Sequence, residues 1–149
     1  MRKLFAFALA SALSFSAQAN EWRQFTSTMY VLDPAGEQPL LAMASLFTGE
    51  HVGMNLVDLS GAFCEKGENS NPRPAGPFQI NGTNVKFVQA CLGGKRVLSP
   101  ETEKGKAFLA NAILGGPATV VIEGGDVVKF SSENFESAKK AMLDTNSAL

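Results

Sequence analysis

Short apolar runs separated by turn residues recur along most of this chain, the pattern of β-strands. Residues 22–32 carry Trp, Phe, Thr, Met, Tyr and Val with few breakers and predict a strand. Asp33-Pro34-Ala35-Gly36 ends it as a turn. The next apolar runs are residues 40–47 and 52–59, joined by Thr48-Gly49-Glu50-His51 as a hairpin connection. The Leu, Ala and Met content of residues 40–47 would also suit a short helix; the strand is the favoured reading. Phe78-Gln79-Ile80 and residues 85–91 flank Asn81-Gly82-Thr83-Asn84, and Asn-Gly between alternating apolar residues is a strong hairpin signal.

The period then changes. Ser99-Pro100-Glu101 reads as a helix start, with Ser as N-cap, Pro at the first helical position and an acid near the positive end of the dipole. Gly105, Phe108, Leu109, Ala112 and Ile113 recur at intervals of three and four behind it, and Gly115-Gly116-Pro117 stops the helix. Residues 118–123 and 126–131 predict a hairpin. A three-residue loop of Gly124, Gly125 and Asp126 would set Val120 opposite Phe130 and Ile122 opposite Val128. Ser131-Ser132-Glu133 reads as the cap of a second helix that buries Phe135, Ala138, Ala141 and Met142, with a fraying tail after Asp144. The pattern therefore predicts one mainly β domain of α+β class, an antiparallel sheet or sandwich with two late helices.

The first nineteen residues do not belong to that pattern. Met1-Arg2-Lys3 is a basic head, residues 4–15 are uncharged, and Ala17 and Ala19 form an A-x-A site. These are the parts of a cleavable secretory signal, with Asn20 as the expected mature N-terminus. The apolar run is about a dozen residues, short of the roughly 20 a membrane span needs. The division expected is a signal peptide over residues 1–19 and a β-rich exported domain over residues 20–149, periplasmic or secreted. Of 13 Lys+Arg against 14 Asp+Glu, the signal takes two basic residues, which leaves 11 against 14 and a mature charge of −3. Such a balance favours neither nucleic acid nor an anionic membrane as partner.

Two cysteines, Cys64 and Cys91, remain, and an even count in an exported chain predicts a disulfide between them. Closing that loop should stabilise the fold by about 3–4 kcal/mol. A zinc site needs about four ligands, and one His does not complete it, so no metal or cofactor is expected.

Candidate chemistry is sparse. His51, the sole histidine, stands in a predicted turn with no identifiable nucleophile or orienting acid, so no catalytic residue is assigned. Gly93-Gly94-Lys95-Arg96 lacks the Ser or Thr of a phosphate loop and reads as a turn between strand and helix. Glu65 and Glu68 lack the spacing of a calcium loop. Asn81-Gly82-Thr83 fits a glycosylation sequon formally, although the hairpin turn accounts for it. Trp22 and Tyr30 suit a core or interface better than a binding platform. Residues 65–77 hold three prolines, two glycines and no large apolar residue, and so predict an exposed loop. Its prolines lower the entropy cost of ordering it on a partner. The segment 68–78, with Asn71, Arg73 and Phe78, is the expected contact surface.

From Cys91 onward, the order of a cysteine, a Gly-containing turn, a helix, the hairpin at residues 119–131 and the closing Asn134-Phe135-Glu136-Ser137-Ala138 resembles the C-terminal half of the invasion-associated locus B family. Those are exported bacterial β-rich proteins without established enzymatic activity. The likeness covers about 60 of the 149 residues. The first half departs from the family in having no early cysteine pair near Trp22. The resemblance implies no site residue here. Two function classes follow: a non-enzymatic binding or accessory protein acting on another envelope or secreted protein, or a small hydrolase with a dispersed carboxylate pair.

Overall fold

A computed structural model describes residues 20–46 and 51–147. The expected signal segment and Thr48-Gly49-Glu50 of the expected hairpin connection lie outside the described residues. Nine strands form one continuous antiparallel sheet: β1 (Arg23–Thr26), β2 (Met29–Leu32), β3 (Leu40–Leu46), β4 (Val52–Asp58), β5 (Arg73–Ile80), β6 (Thr83–Leu92), β7 (Lys95–Pro100), β8 (Ala118–Val121) and β9 (Val127–Phe130). Helix α1 (Glu103–Leu114) follows β7 and α2 (Phe135–Ser147) closes the chain. The order in the sheet is β1-β2-β3-β4-β7-β6-β5-β8-β9. The mainly β reading with two late helices holds, and the open choice resolves to a single sheet, not a sandwich of two.

The sheet curls until its ends meet. Ala35 N, just past β2, donates to Lys129 O of β9 at 2.8 Å, and Glu133 N donates to Asn20 O at 2.7 Å. Glu21 and Glu133 form a parallel bridge. Trp22 fastens this seam: its backbone N donates to Asn134 Oδ1 at 2.8 Å and its indole Nε1 to Ser132 Oγ at 2.7 Å. Its ring packs edge-on against Phe135. Alternate residues of each strand point inward, so Leu32, Ala42, Leu56, Leu98, Phe87, Ile80, Val120 and Phe130 share one core with Leu109 and Ile113 of α1 and Ala138 and Met142 of α2.

Several local expectations are corrected. Residues 22–32 are not one strand but the β1–β2 hairpin, turning at Ser27-Thr28 without Gly or Asn, with Thr28 N donating to Thr26 Oγ1 at 3.4 Å. The register shifts between Gln24 and Thr26, and Phe25 there stays 61% exposed. Ser99 and Pro100 do not start the helix; they end β7, paired with Val88 and Phe87. Thr102 is the cap instead, its hydroxyl accepting from Gly105 N at 3.0 Å.

Gly93-Gly94 accordingly turns from strand to strand. The β8–β9 pairs are Val120 with Val128 and Ala118 with Phe130, two residues from the expected register. A slip of two preserves the faces, so the same valines and Phe130 still point inward. Ser131-Ser132-Glu133 does not cap α2: Ser132 is held by Trp22, and α2 begins at Phe135 and continues to Ser147 without ending at Asp144. Residues 73–77 of the expected loop are strand, in β5, which bulges between Ala75 and Phe78. The Asn81-Gly82 turn is as expected, with φ of 49° and 79° and Ile80 paired with Thr83.

Candidate functional site

Strand alternation brings a polar group into the core at one end of the sheet. Asp58 continues the inward set of Leu56, Arg96 that of Leu98, and Gln89 and Cys91 that of Phe87. The ladders pair Asp58 with Arg96 and Arg96 with Cys91, so the three stand in one row across β4, β7 and β6. Arg96 is 3% and Asp58 5% exposed. The guanidinium is fully engaged: Nε donates to Gln89 Oε1 at 2.8 Å, and Nη1 and Nη2 donate to Glu123 Oε2 and Oε1 at 2.7 and 2.6 Å. Asp58 Oδ2 lies 3.6 Å from Nη1, while Asp58 Oδ1 accepts from Ser60 N at 2.8 Å.

Glu123 reaches Arg96 because residues 122–126 leave the β8–β9 ladder, with a 3-10 turn at Glu123–Gly125. That bidentate contact accounts for the displaced register. The hydrogen bond from Arg96, and secondarily its charge, hold the Glu123 carboxyl below the usual range against a partial desolvation. Phe63 covers the cluster, its ring centroid 3.9 Å from Arg96 Cζ, a cation–π contact. The neighbouring residue forms the Cys64–Cys91 disulfide, which ties this cover to β6. Glu68 O accepts from Gly94 N, Asn69 Oδ1 from Gly93 N, and Ser70 Oγ from Cys91 N, fixing the rest of the loop to the β6–β7 hairpin. Gly94 has φ +82°, and a Cβ there would stand 2.6 Å from Gly67 N, so this close approach requires glycine.

Chemically, this row is a poor hydrolase site. Both carboxylates that converge on it are engaged by one arginine, and Glu123, pushed down in pKa, cannot serve as a general acid near neutral pH. Cys64, Glu68 and Cys91 bring potential ligand atoms within 4.8 Å of one another. The two sulfurs are bonded to each other and offer no thiolate, and Glu68 Oε2 accepts from Glu65 N at 2.8 Å. The disulfide is the mark of an oxidising, extracytoplasmic compartment. Among the described residues no helix is long and apolar enough to cross a membrane.

At the opposite end of β4 the sheet splits. β4 pairs with β3 as far as Val52, but its ladder to β7 stops at Leu56–Leu98. The next pairs would set Asn55 against Ser99 and Met54 against Pro100. Proline has no N–H to give to that ladder. Helix α1 packs against both strands where they part, and a groove of about 550 Å³ remains between them. Val52, Met54, Val88, Pro100, Ala107 and Ala110 supply its apolar lining. Exposed His51 stands at its rim with Glu101, Glu103 and Lys106. Lys106 Nζ donates to Glu103 Oε1 at 2.7 Å, which lowers the Glu103 pKa.

The expected contact residues separate. Asn71 and Arg73 are exposed. Phe78 is a correction: it is 5% exposed, packed on Phe87 in the core, because the β5 bulge turns it inward. Arg96 and the groove are hidden in the sequence, since residues 93–96 have the composition of a turn and Ser99-Pro100 that of a helix start. The signal was the alternation of Arg96, Leu98 and Pro100, which as a strand places Arg96 on the same face as the core leucine. The chain matches no protein-family model, no curated protein and no solved structure.

Proposed function

We propose that the chain is exported by a signal over residues 1–19 and works, after cleavage before Asn20, as a non-enzymatic binding or accessory protein acting on another envelope or secreted protein. The observation that carries this reading is the groove at the β4–β7 split. It has the volume of a ligand site, and its apolar lining is bordered by polar and charged residues. The engagement of Asp58 and Glu123 by Arg96 weighs against the hydrolase alternative. The resemblance of the C-terminal half to the invasion-associated locus B family points the same way. The mature charge gives nucleic acid no hold.

The exposed pair Asn71 and Arg73 is a weaker contact surface than the groove. Pro74 and Pro77 lie on the part of β5 that precedes its short ladder to β8, and they discourage added pairing there. Photo-crosslinking amino acids at Ala107, at Arg73 and at Lys140, introduced separately in exporting cells, test the reading. One discrete adduct with an envelope or secreted protein is expected from Ala107, and none from Lys140. Equal adducts from all three positions, or none from Ala107, would refute it.

A further inference from the structure

We infer that the groove takes an extended segment of its protein partner as an added strand on β4, with a basic side chain of that segment against Glu101. This rests on the groove being the partner site.

The argument starts from the backbone. In a strand with neighbours on both sides, consecutive residues aim their N–H and C=O groups alternately at one neighbour and the other. Over Val52–Asn55, β4 has β3 on one side and no ladder on the other, so two of these four residues turn both backbone groups to the groove. Among the described residues no backbone or side-chain hydrogen bond crosses from that side to β7 or α1. Unpaired strand groups are a template for an extended chain, which is how peptides add to sheet edges. Four residues give a template of about 13 Å.

Space and charge narrow the occupant. Gly53, Ala107 and Ala110 are small, so the groove stays open between β4 and α1. Apolar side chains on the inward face of an added strand would meet Met54 and Pro100, while the other face remains in water. At the rim Glu103 is paired with Lys106, whereas Glu101, an exposed residue, has no ion pair among the described residues. With His51 counted as neutral at pH 7, the rim is therefore negative by about one charge, and a Lys or Arg on the segment complements it. The Glu101 backbone is held independently of its side chain, through its N–H to Lys86 O at 2.9 Å.

A phage-displayed library of random linear heptapeptides, selected on the full mature protein, gives the probe. Enriched sequences should alternate apolar and polar residues and carry Lys or Arg. A synthetic peptide of the consensus should then lose at least about tenfold in affinity when alternate amides of one phase are N-methylated, and far less in the other phase. Glu101→Lys should weaken binding by a similar factor, with Glu101→Gln in between. Ala107→Trp should block it, and circular dichroism with the thermal midpoint establishes that each variant is folded. Tolerance of both methylation phases overturns strand addition while leaving the groove a partner site. Indifference to Glu101→Lys overturns the basic contact. Sedimentation showing self-association that Ala107→Trp abolishes would replace the partner with a second copy, and overturn the inference.

Discussion

Replacing Arg96 by methionine keeps most of the side-chain volume and removes the guanidinium shared by Asp58, Glu123 and Gln89. The cavity cost of such a change is small, so the loss reports electrostatics. Asp58 is 5% exposed, and stranding a buried charge without its partner costs about 3–5 kcal/mol. Glu123 is different, because its side chain is 41% exposed and water screens it, so its share is below about 1 kcal/mol. Against a total stability of about 5–15 kcal/mol the variant should be severely weakened. Adding Asp58→Leu should restore most of the loss, since exchanging a whole buried pair for apolar residues is close to neutral. Urea unfolding followed by the fluorescence of buried Trp22 measures all three proteins.

The pH dependence adds a sign. Glu123 has a lowered folded pKa, so its stabilisation is complete above the unfolded value of about 4.3 and fades as pH falls through the folded one. Arg96→Met should flatten that acid slope. A loss below about 1 kcal/mol for Arg96→Met, or strict additivity with Asp58→Leu, would refute the buried row as described.

Other outcomes follow from the same contacts. Cys64→Ser with Cys91→Ser opens a loop with a sequence separation of 27 and should cost about 3–4 kcal/mol, measured by urea unfolding. Thiol labelling of the unreduced wild type should find no free cysteine. Trp22→Phe should lose about 1 kcal/mol with its bond to Ser132, and Trp22→Ala about 3–5 kcal/mol, both read from thermal midpoints. The intact mass of exported protein should correspond to a chain beginning at Asn20; retention of residues 1–19 would sink the signal-peptide reading.

What the sequence disclosed was decided by local chemistry. Asn81-Gly82 specified its turn because both residues accept positive φ, and the stripe of Leu109 and Ile113 specified the buried face of α1. The faces of β8 and β9 were legible as well, since a period of two survives a two-residue slip. The losses came where a distant partner overrode a local signal. Ser99-Pro100 has the composition of a helix start, yet pairing with Val88 and Phe87 draws it into β7. Ser132 has the composition of a cap, yet Trp22, 110 residues away, takes its hydroxyl. Glu123 leaves its strand for Arg96, 27 residues back. The turn at Ser27-Thr28 lacks the Gly, Pro, Asn or Asp that most strongly announces one. Both candidate sites lie at such places, which is why neither the arginine row nor the groove was visible from the sequence.

The seam at Trp22 also sets an order on folding. Its partners Ser132 and Asn134 stand 110 and 112 residues further along the chain. Under the proposed export, Trp22 crosses first and those partners only near the end of the chain. The aromatic anchor must therefore wait, exposed, for almost the whole domain to cross before the sheet can close. Such long-range closure is slow, and a chain held at that stage offers chaperones and proteases an open sheet with a free indole. Truncation before Ser132 would leave that first-emerging end of the chain unsecured, although the missing residues lie far along the chain.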